Sequence, residues 1–201
     1  MSAIARYGTL PLILFLLANS SAAQESAPRA AINGKWDISV WAAVATGEEN
    51  TNSFNEARIW TAGFFLGKLM HREVLGGWRR GTIEYGSNLI PLFLTSKSQK
   101  VHGGGFEPIV LRWYSSHSLG RATPYLELAG GAVFTNSNLP PGNTSSLNFT
   151  ARAGGGIHVF TRKRQSLDLG CGWMHASNAN LGVRNPEFNG IRLSLAYHWF
   201  K

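Results

Sequence analysis

From residue 35 to residue 200 the chain alternates apolar and polar positions with a period of two, and no long stretch keeps an apolar stripe at helical spacing. Successive side chains of a strand point to opposite faces, so this alternation predicts strands with one apolar and one polar surface. Eight are expected, at roughly 35–46, 57–69, 78–94, 104–115, 122–135, 147–160, 165–177 and 189–200. The last shows the pattern best. Ile191, Leu193, Leu195, Tyr197 and Trp199 fall on one face; Arg192, Ser194, Ala196 and His198 fall on the other.

The polar faces decide between architectures. "RRGTIEYGS" sets Arg80, Thr82 and Glu84 against Ile83 and Tyr85, and "RAGGGIHVF" mixes Arg152, glycines and His158 with apolar residues. A dry sandwich core accommodates such charges poorly, because each needs a buried partner. A narrow barrel with lipid outside and a polar network inside accommodates them well. The expected fold is all-β: an eight-stranded antiparallel transmembrane β-barrel of the outer-membrane type over residues 35–201. With the N-terminus at the periplasmic end, connections at about 46–57, 95–104, 136–146 and 178–188 face outward. Those at about 70–77, 116–121 and 161–164 face the periplasm. The outward set is the longer, as such barrels require. The terminal "YHWFK" supplies the aromatics of a membrane interface.

The first residues have a different character. Arg6, the apolar run "TLPLILFLLA" and the small residues "NSSAA" read as a signal peptide over 1–23, cleaved after Ala23, with a retained anchor as the alternative. Residues 24–34 form an N-terminal lead-in. Export places the mature chain in the cell outer membrane. The apolar run is too short to span a bilayer as a helix, and no later stretch approaches the ~20 apolar residues that one needs. Cys171 is the one cysteine, so no internal disulfide holds the fold. The formal charge of +8 suits a phosphorylated, anionic lipid surface, and export argues against nucleic acid.

The stretch "GWMHASNANLGVRNPEFNG" carries the chemistry. Leu167, Leu169, Cys171 and Trp173 form an outward apolar series, and His175 and Ser177 continue it. Glu187 and Asn189 are in phase with Ile191 and Leu193 on the next strand. Neighbouring strands lie about 4.8 Å apart, so a histidine, a serine and an acidic or amide group converge on the lipid-facing wall. His175 can take the Ser177 proton while a third group orients its ring. Asn178 and the main-chain N–H groups just beyond it can bind an oxyanion. The plainer alternative is a loop edge whose polar side chains satisfy turn hydrogen bonds.

"HASNANLGVRNPEFN" resembles the signature of the PagL family of outer-membrane lipid A 3-O-deacylases, which carries H-x-S-N-A followed by an N-P-like turn. The resemblance is sharpest over residues 173–200. It implies an esterase that cleaves the acyl chain at the 3-position of lipid A. His175 would be the base, Ser177 the nucleophile and Asn178 an oxyanion-hole contributor. The family acid stands fourteen residues after the histidine, which here is Asn189. Glu187 lies two residues earlier on the same face. Either can be the third member of the triad. Lipid A, or lipopolysaccharide, is then the substrate, with no cofactor.

Other motifs carry less. "VHGGGF" (101–106) mimics a lipase oxyanion loop without a G-x-S-x-G elbow, and reads as part of a flexible outer loop. Gly154, Gly155 and Gly156 open no nucleotide-binding helix and mark a bend or close packing. His71, His102, His117, His158 and His198 show no metal-ligand spacing. Two further readings stay open at this level. One is a non-catalytic eight-stranded barrel with a structural or adhesive role. The other is a soluble secreted β-sandwich that binds a ligand.

Overall fold

The structure, a computed structural model, describes residues 32, 34–47, 57–96 and 100–201. The expected signal peptide, most of the lead-in and most of the 46–57 connection lie outside these residues. Eight strands run β1 (Trp36–Gly47), β2 (Arg58–Val74), β3 (Gly81–Ser96), β4 (His102–Ser115), β5 (Ala122–Leu139), β6 (Ser145–Arg162), β7 (Gln165–Ser177) and β8 (Phe188–Phe200). Each pairs antiparallel with its neighbours in sequence, and β1 also pairs with β8, closing a barrel. The soluble sandwich reading is thereby corrected: one closed sheet replaces two packed ones. Closure removes the unpaired edges that a strand would otherwise present to lipid. Backbone bonds between Trp36 and Lys201, at 2.7 and 2.8 Å, lock the seam.

The strands match the alternation of the sequence but run further at several ends. β2 continues to Val74 and β5 to Leu139, absorbing parts of the expected 70–77 and 136–146 connections. A register shift between Leu69 and Glu73 lets β2 extend in this way. The expected third strand starts late, because Gly77–Arg79 form a single 3-10 turn and leave Arg80 exposed before β3.

The outer wall is apolar. Phe64, Leu66, Leu89, Ile109, Leu126, Leu128, Leu169, Leu193 and Leu195 are each more than half exposed. No soluble surface gathers so many large apolar groups; a membrane-facing wall does. The lumen is filled rather than open. Phe93, Val133, Met174 and Phe188 close the end that carries the 178–187 loop. Tyr114, Tyr125, Phe160 and Phe200 close the other. Between them, Arg112 pairs with Glu127 at 2.7 Å and Glu84 at 3.3 Å, and Arg152 pairs with Glu107 at 2.6 Å and Glu127 at 2.5 Å. Asn88 extends the network, accepting from Trp41 Nε1 at 3.0 Å and donating to Glu107 at 2.8 Å. This is the polar lumen that Glu84, Arg152 and His158 required.

Strict alternation fails at two prolines. Pro91 sits in a register shift between Ile90 and Phe93, and Pro108 in one between Phe106 and Ile109. Proline has no N–H for the ladder, so it settles at bulges. The second bulge brings Glu107 and Val110, three residues apart, both to the inside. Arg152 therefore meets its carboxylate partner.

Candidate active site

The H-x-S motif ends β7. His175 and Ser177 keep the outward face of Leu167, Leu169, Cys171 and Trp173, because every second residue of a strand shares a face. Register places Asn189 of β8 directly opposite His175. Two hydrogen bonds follow. His175 Nε2 lies 3.0 Å from Ser177 Oγ, and Nδ1 lies 2.9 Å from Asn189 Oδ1. Both are satisfied by one tautomer: Nδ1–H donates to the amide oxygen, and Nε2 accepts from the serine hydroxyl. In that tautomer the imidazole is ready to take the serine proton. The Trp173 ring stacks on His175 at 5.7 Å and 24°, holding the plane of the imidazole.

Glu187 approaches the same nitrogen. Its Oε2 is 3.6 Å from His175 Nδ1, beyond a formed hydrogen bond. Its side chain is 49% exposed, against 24% for His175. Both candidates for the third position therefore stand at Nδ1, with the amide closer than the carboxylate.

Asn178 is buried at the exit from β7. Its N–H donates to Asn185 Oδ1 at 2.9 Å, its Nδ2 donates to the Arg184 carbonyl at 2.8 Å, and its own carbonyl accepts from the Leu181 N–H at 3.0 Å. The Arg184 N–H reaches the Asn143 carbonyl at 2.9 Å and so ties the loop to the β5–β6 connection. Immediately past this anchor, Ala179 and Asn180 take φ values of 50° and 63°. Two successive left-handed residues other than glycine are rare, and such strain gathers at functional sites. The walls around Ser177 are apolar. Phe149 and Ala151 of β6 face Ser177 and His175 in register. Ile191, Leu181 and Val183 are exposed nearby in sequence.

The remaining sequence motifs sit elsewhere. The glycines of "VHGGGF" belong to β4, not to a flexible loop; Gly103 to Phe106 pair with Thr135 to Ala132. A Cβ on Gly103 would meet the Phe134 carbonyl oxygen at 2.0 Å, so close strand approach explains this run. In the 154–156 run, Cβ atoms on Gly154 and Gly156 would meet neighbouring carbonyls at 2.5 and 2.2 Å, again close packing. His117 lies in a connection at the opposite end. Sequence spacing did not show that His158, Asp168 and His198 meet in the lumen, within 4.8 Å of one another. Each comes from a different strand, so only barrel closure brings them together.

A family model described as lipid A 3-O-deacylase (PagL) matches residues 35–198. Among solved structures, that of the outer membrane enzyme PagL aligns with a TM-score of 0.54 at 19% identity, covering 79% of this chain and 97% of that one. The outer membrane protein OprG from Pseudomonas aeruginosa aligns with a TM-score of 0.45 at 9% identity, covering 84% and 96% respectively. No curated protein sequence matches. The first of these alignments shows a shared barrel fold. The family match runs from the start of β1 into β8 and includes the whole H-x-S-N segment, and the chain belongs to the lipid A 3-O-deacylase (PagL) family.

Proposed function

We propose that this barrel hydrolyses the ester-linked 3-hydroxyacyl chain at the 3-position of lipid A by serine catalysis on its lipid-facing wall. The observation that carries the reading is the position of His175, bonded at 3.0 Å to Ser177 and at 2.9 Å to Asn189 on the outer surface. A soluble substrate has no access to a wall immersed in hydrocarbon, whereas a lipid of the outer leaflet already lies against it.

His175 Nε2 takes the Ser177 proton as Oγ attacks the ester carbonyl. Asn189 holds the imidazolium that forms by accepting from Nδ1–H. The oxyanion lies towards the Ala179–Asn180 bend, and Asn178 contributes by anchoring that bend. His175 then returns the proton to the departing sugar 3-oxygen. Water, deprotonated by the same nitrogen, releases the fatty acid from Ser177. Phe149, Ala151 and Ile191 line the wall along which the acyl chain runs.

Lipid A from cells expressing the wild type, Ser177→Ala or His175→Ala is to be compared by mass spectrometry. The wild type should show loss of one hydroxyacyl mass and the variants none, with heat-modifiable gel mobility as the control for a folded barrel. Deacylation that persists in folded Ser177→Ala would remove Ser177 from the mechanism.

A further inference from the structure

The lumen holds a second constellation, remote from Ser177. Asp168 stands nine residues before Ser177 on β7, about 30 Å along the strand. There His158, Asp168 and His198 are all buried, and one ligating atom of each lies within 4.8 Å of the other two. His158 Nε2 is 3.1 Å from Asp168 Oδ2, and the two imidazole centroids are 4.3 Å apart.

The outer edges of this cluster are tied down. His158 Nδ1 meets Ser166 Oγ at 3.1 Å. His198 Nδ1 meets the Asp37 carboxylate at 2.7 and 2.9 Å. The Tyr125 hydroxyl donates to Asp168 Oδ1 at 3.1 Å. The remaining atoms are not tied in this way. His198 Nε2 is buried without a hydrogen-bond partner, and His158 Nε2 and Asp168 Oδ2 face one another at 3.1 Å, with the Tyr114 hydroxyl 3.3 Å from the same nitrogen. A histidine that gives its Nδ1 proton to a carboxylate or hydroxyl turns a bare Nε2 lone pair the other way. That is how metal-ligating histidines are oriented.

Charge points the same way. Among the described residues the lumen carries the carboxylates of Asp37, Glu84, Glu107, Glu127 and Asp168 against the guanidiniums of Arg112, Arg152 and Arg192. With neutral histidines and all five carboxylates ionised, two positive charges are missing from a closed, poorly solvated space. One divalent cation supplies both. Unpaired buried charge is costly enough to make such compensation matter.

We propose that His158, Asp168 and His198 form a binding site for a divalent transition-metal ion of the zinc class, held by two imidazole Nε2 atoms and one carboxylate oxygen. Two nitrogens and an oxygen suit zinc, whereas an all-oxygen set would suit magnesium or calcium. Tetrahedral ligands at zinc lie about 3.3 Å apart, so rotations of the two rings close the set. Because the cluster is buried, the ion enters as the barrel closes. It ties β6, β7 and β8 together and, through Asp37, β1 across the seam.

The full-length mature chain is to be refolded into detergent with zinc or with a chelator, freed of unbound ion, and assayed for metal per barrel and for its heat-modifiability midpoint. About one zinc per barrel and a higher midpoint in zinc are expected. Asp168→Asn, which preserves shape, should lower the zinc content about tenfold or more and abolish the zinc-dependent rise in midpoint. Asp37→Asn, which touches the proposed ligands only at His198 though it also loses an ion pair with Arg112, should weaken zinc affinity about 10- to 100-fold. Deacylation should remain Ser177-dependent in both. Because a lumen variant can fail to fold, the wild type is also to be refolded with cobalt(II), whose visible ligand-field absorption reports a tetrahedral nitrogen–oxygen site. A wild type that binds no zinc and gives no cobalt band would overturn the proposal, with two protons then balancing the lumen. Zinc retained by folded Asp168→Asn would overturn it equally.

Discussion

The geometry at His175 makes a sharp prediction about the third member of the triad. Asn189 accepts from Nδ1 at 2.9 Å, whereas Glu187 stands at 3.6 Å and is half exposed. In the transition state of the proposed mechanism His175 is an imidazolium, and a hydrogen bond to a charged group is worth about 1.5–3 kcal/mol. At 1.36 kcal/mol per tenfold, Asn189→Ala should lower kcat by about 10- to 100-fold. Glu187→Gln should cost less than about fivefold, because its carboxylate stands beyond hydrogen-bond distance of a nitrogen already bonded to Asn189. Asn189→Asp keeps the shape and puts a carboxylate at hydrogen-bond distance. Coulomb's law at water's dielectric gives about 1.4 kcal/mol at that separation, so kcat should rise at least about tenfold. The assay is release of hydroxy fatty acid from one purified lipid A by refolded barrel in detergent, with kcat separated from KM. A loss of two orders of magnitude in Glu187→Gln, with Asn189→Ala near wild type, would refute the assignment and make Glu187 the orienting group. Small effects from all three would reduce the machinery to a His–Ser dyad.

Three further outcomes are expected. A bimane label on Cys171, exposed on β7 between Leu169 and Trp173, should be shielded from aqueous quenchers in reconstituted bilayers; free quenching in a folded protein would turn the strand over. Arg152→Met strands Glu107 in the lumen, leaves Glu127 to Arg112 alone and should destabilise the barrel by about 3–5 kcal/mol, read from the shift of its urea unfolding curve; an unshifted curve would show that the ion pairs carry no weight. Asn178→Ala removes the bond to the Arg184 carbonyl and should lower kcat while leaving the unfolding curve in place. The loss should stay below the 10²–10³-fold that a direct oxyanion donor costs, and a larger loss would place Asn178 itself on the oxyanion.

Much of this was legible in the chain because a barrel strand exposes two contrasting environments. The β8 pattern of Ile191 to Trp199 against Arg192 to His198 is read directly from period two, and His175 and Ser177 stood out because they broke an apolar series. The departures have physical reasons. Pro91 and Pro108 shift the phase, so the inward turn of both Glu107 and Val110 is invisible to simple alternation. The glycines at 103–105 looked like a loop because composition alone does not separate flexibility from close approach of strands. The choice between Glu187 and Asn189 depended on β7–β8 register and on two distances less than 1 Å apart. Asn178 was legible as part of the motif, but its hold on Arg184 and Asn185 arises only once the loop folds back.

A filled lumen has a consequence for how such an enzyme meets its substrate. With both ends of the barrel plugged by aromatic and aliphatic side chains among the described residues, no axial route opens to the proposed nucleophile Ser177, and traffic to it is sideways. Encounters are then two-dimensional, within a leaflet. The rate should follow the mole fraction of substrate among the surrounding lipids rather than its molarity in the bulk, so dilution with inert detergent or phospholipid at constant total lipid A should slow turnover. On the proposed mechanism the released fatty acid also enters the same film beside Ser177, where it should compete until lateral diffusion carries it off.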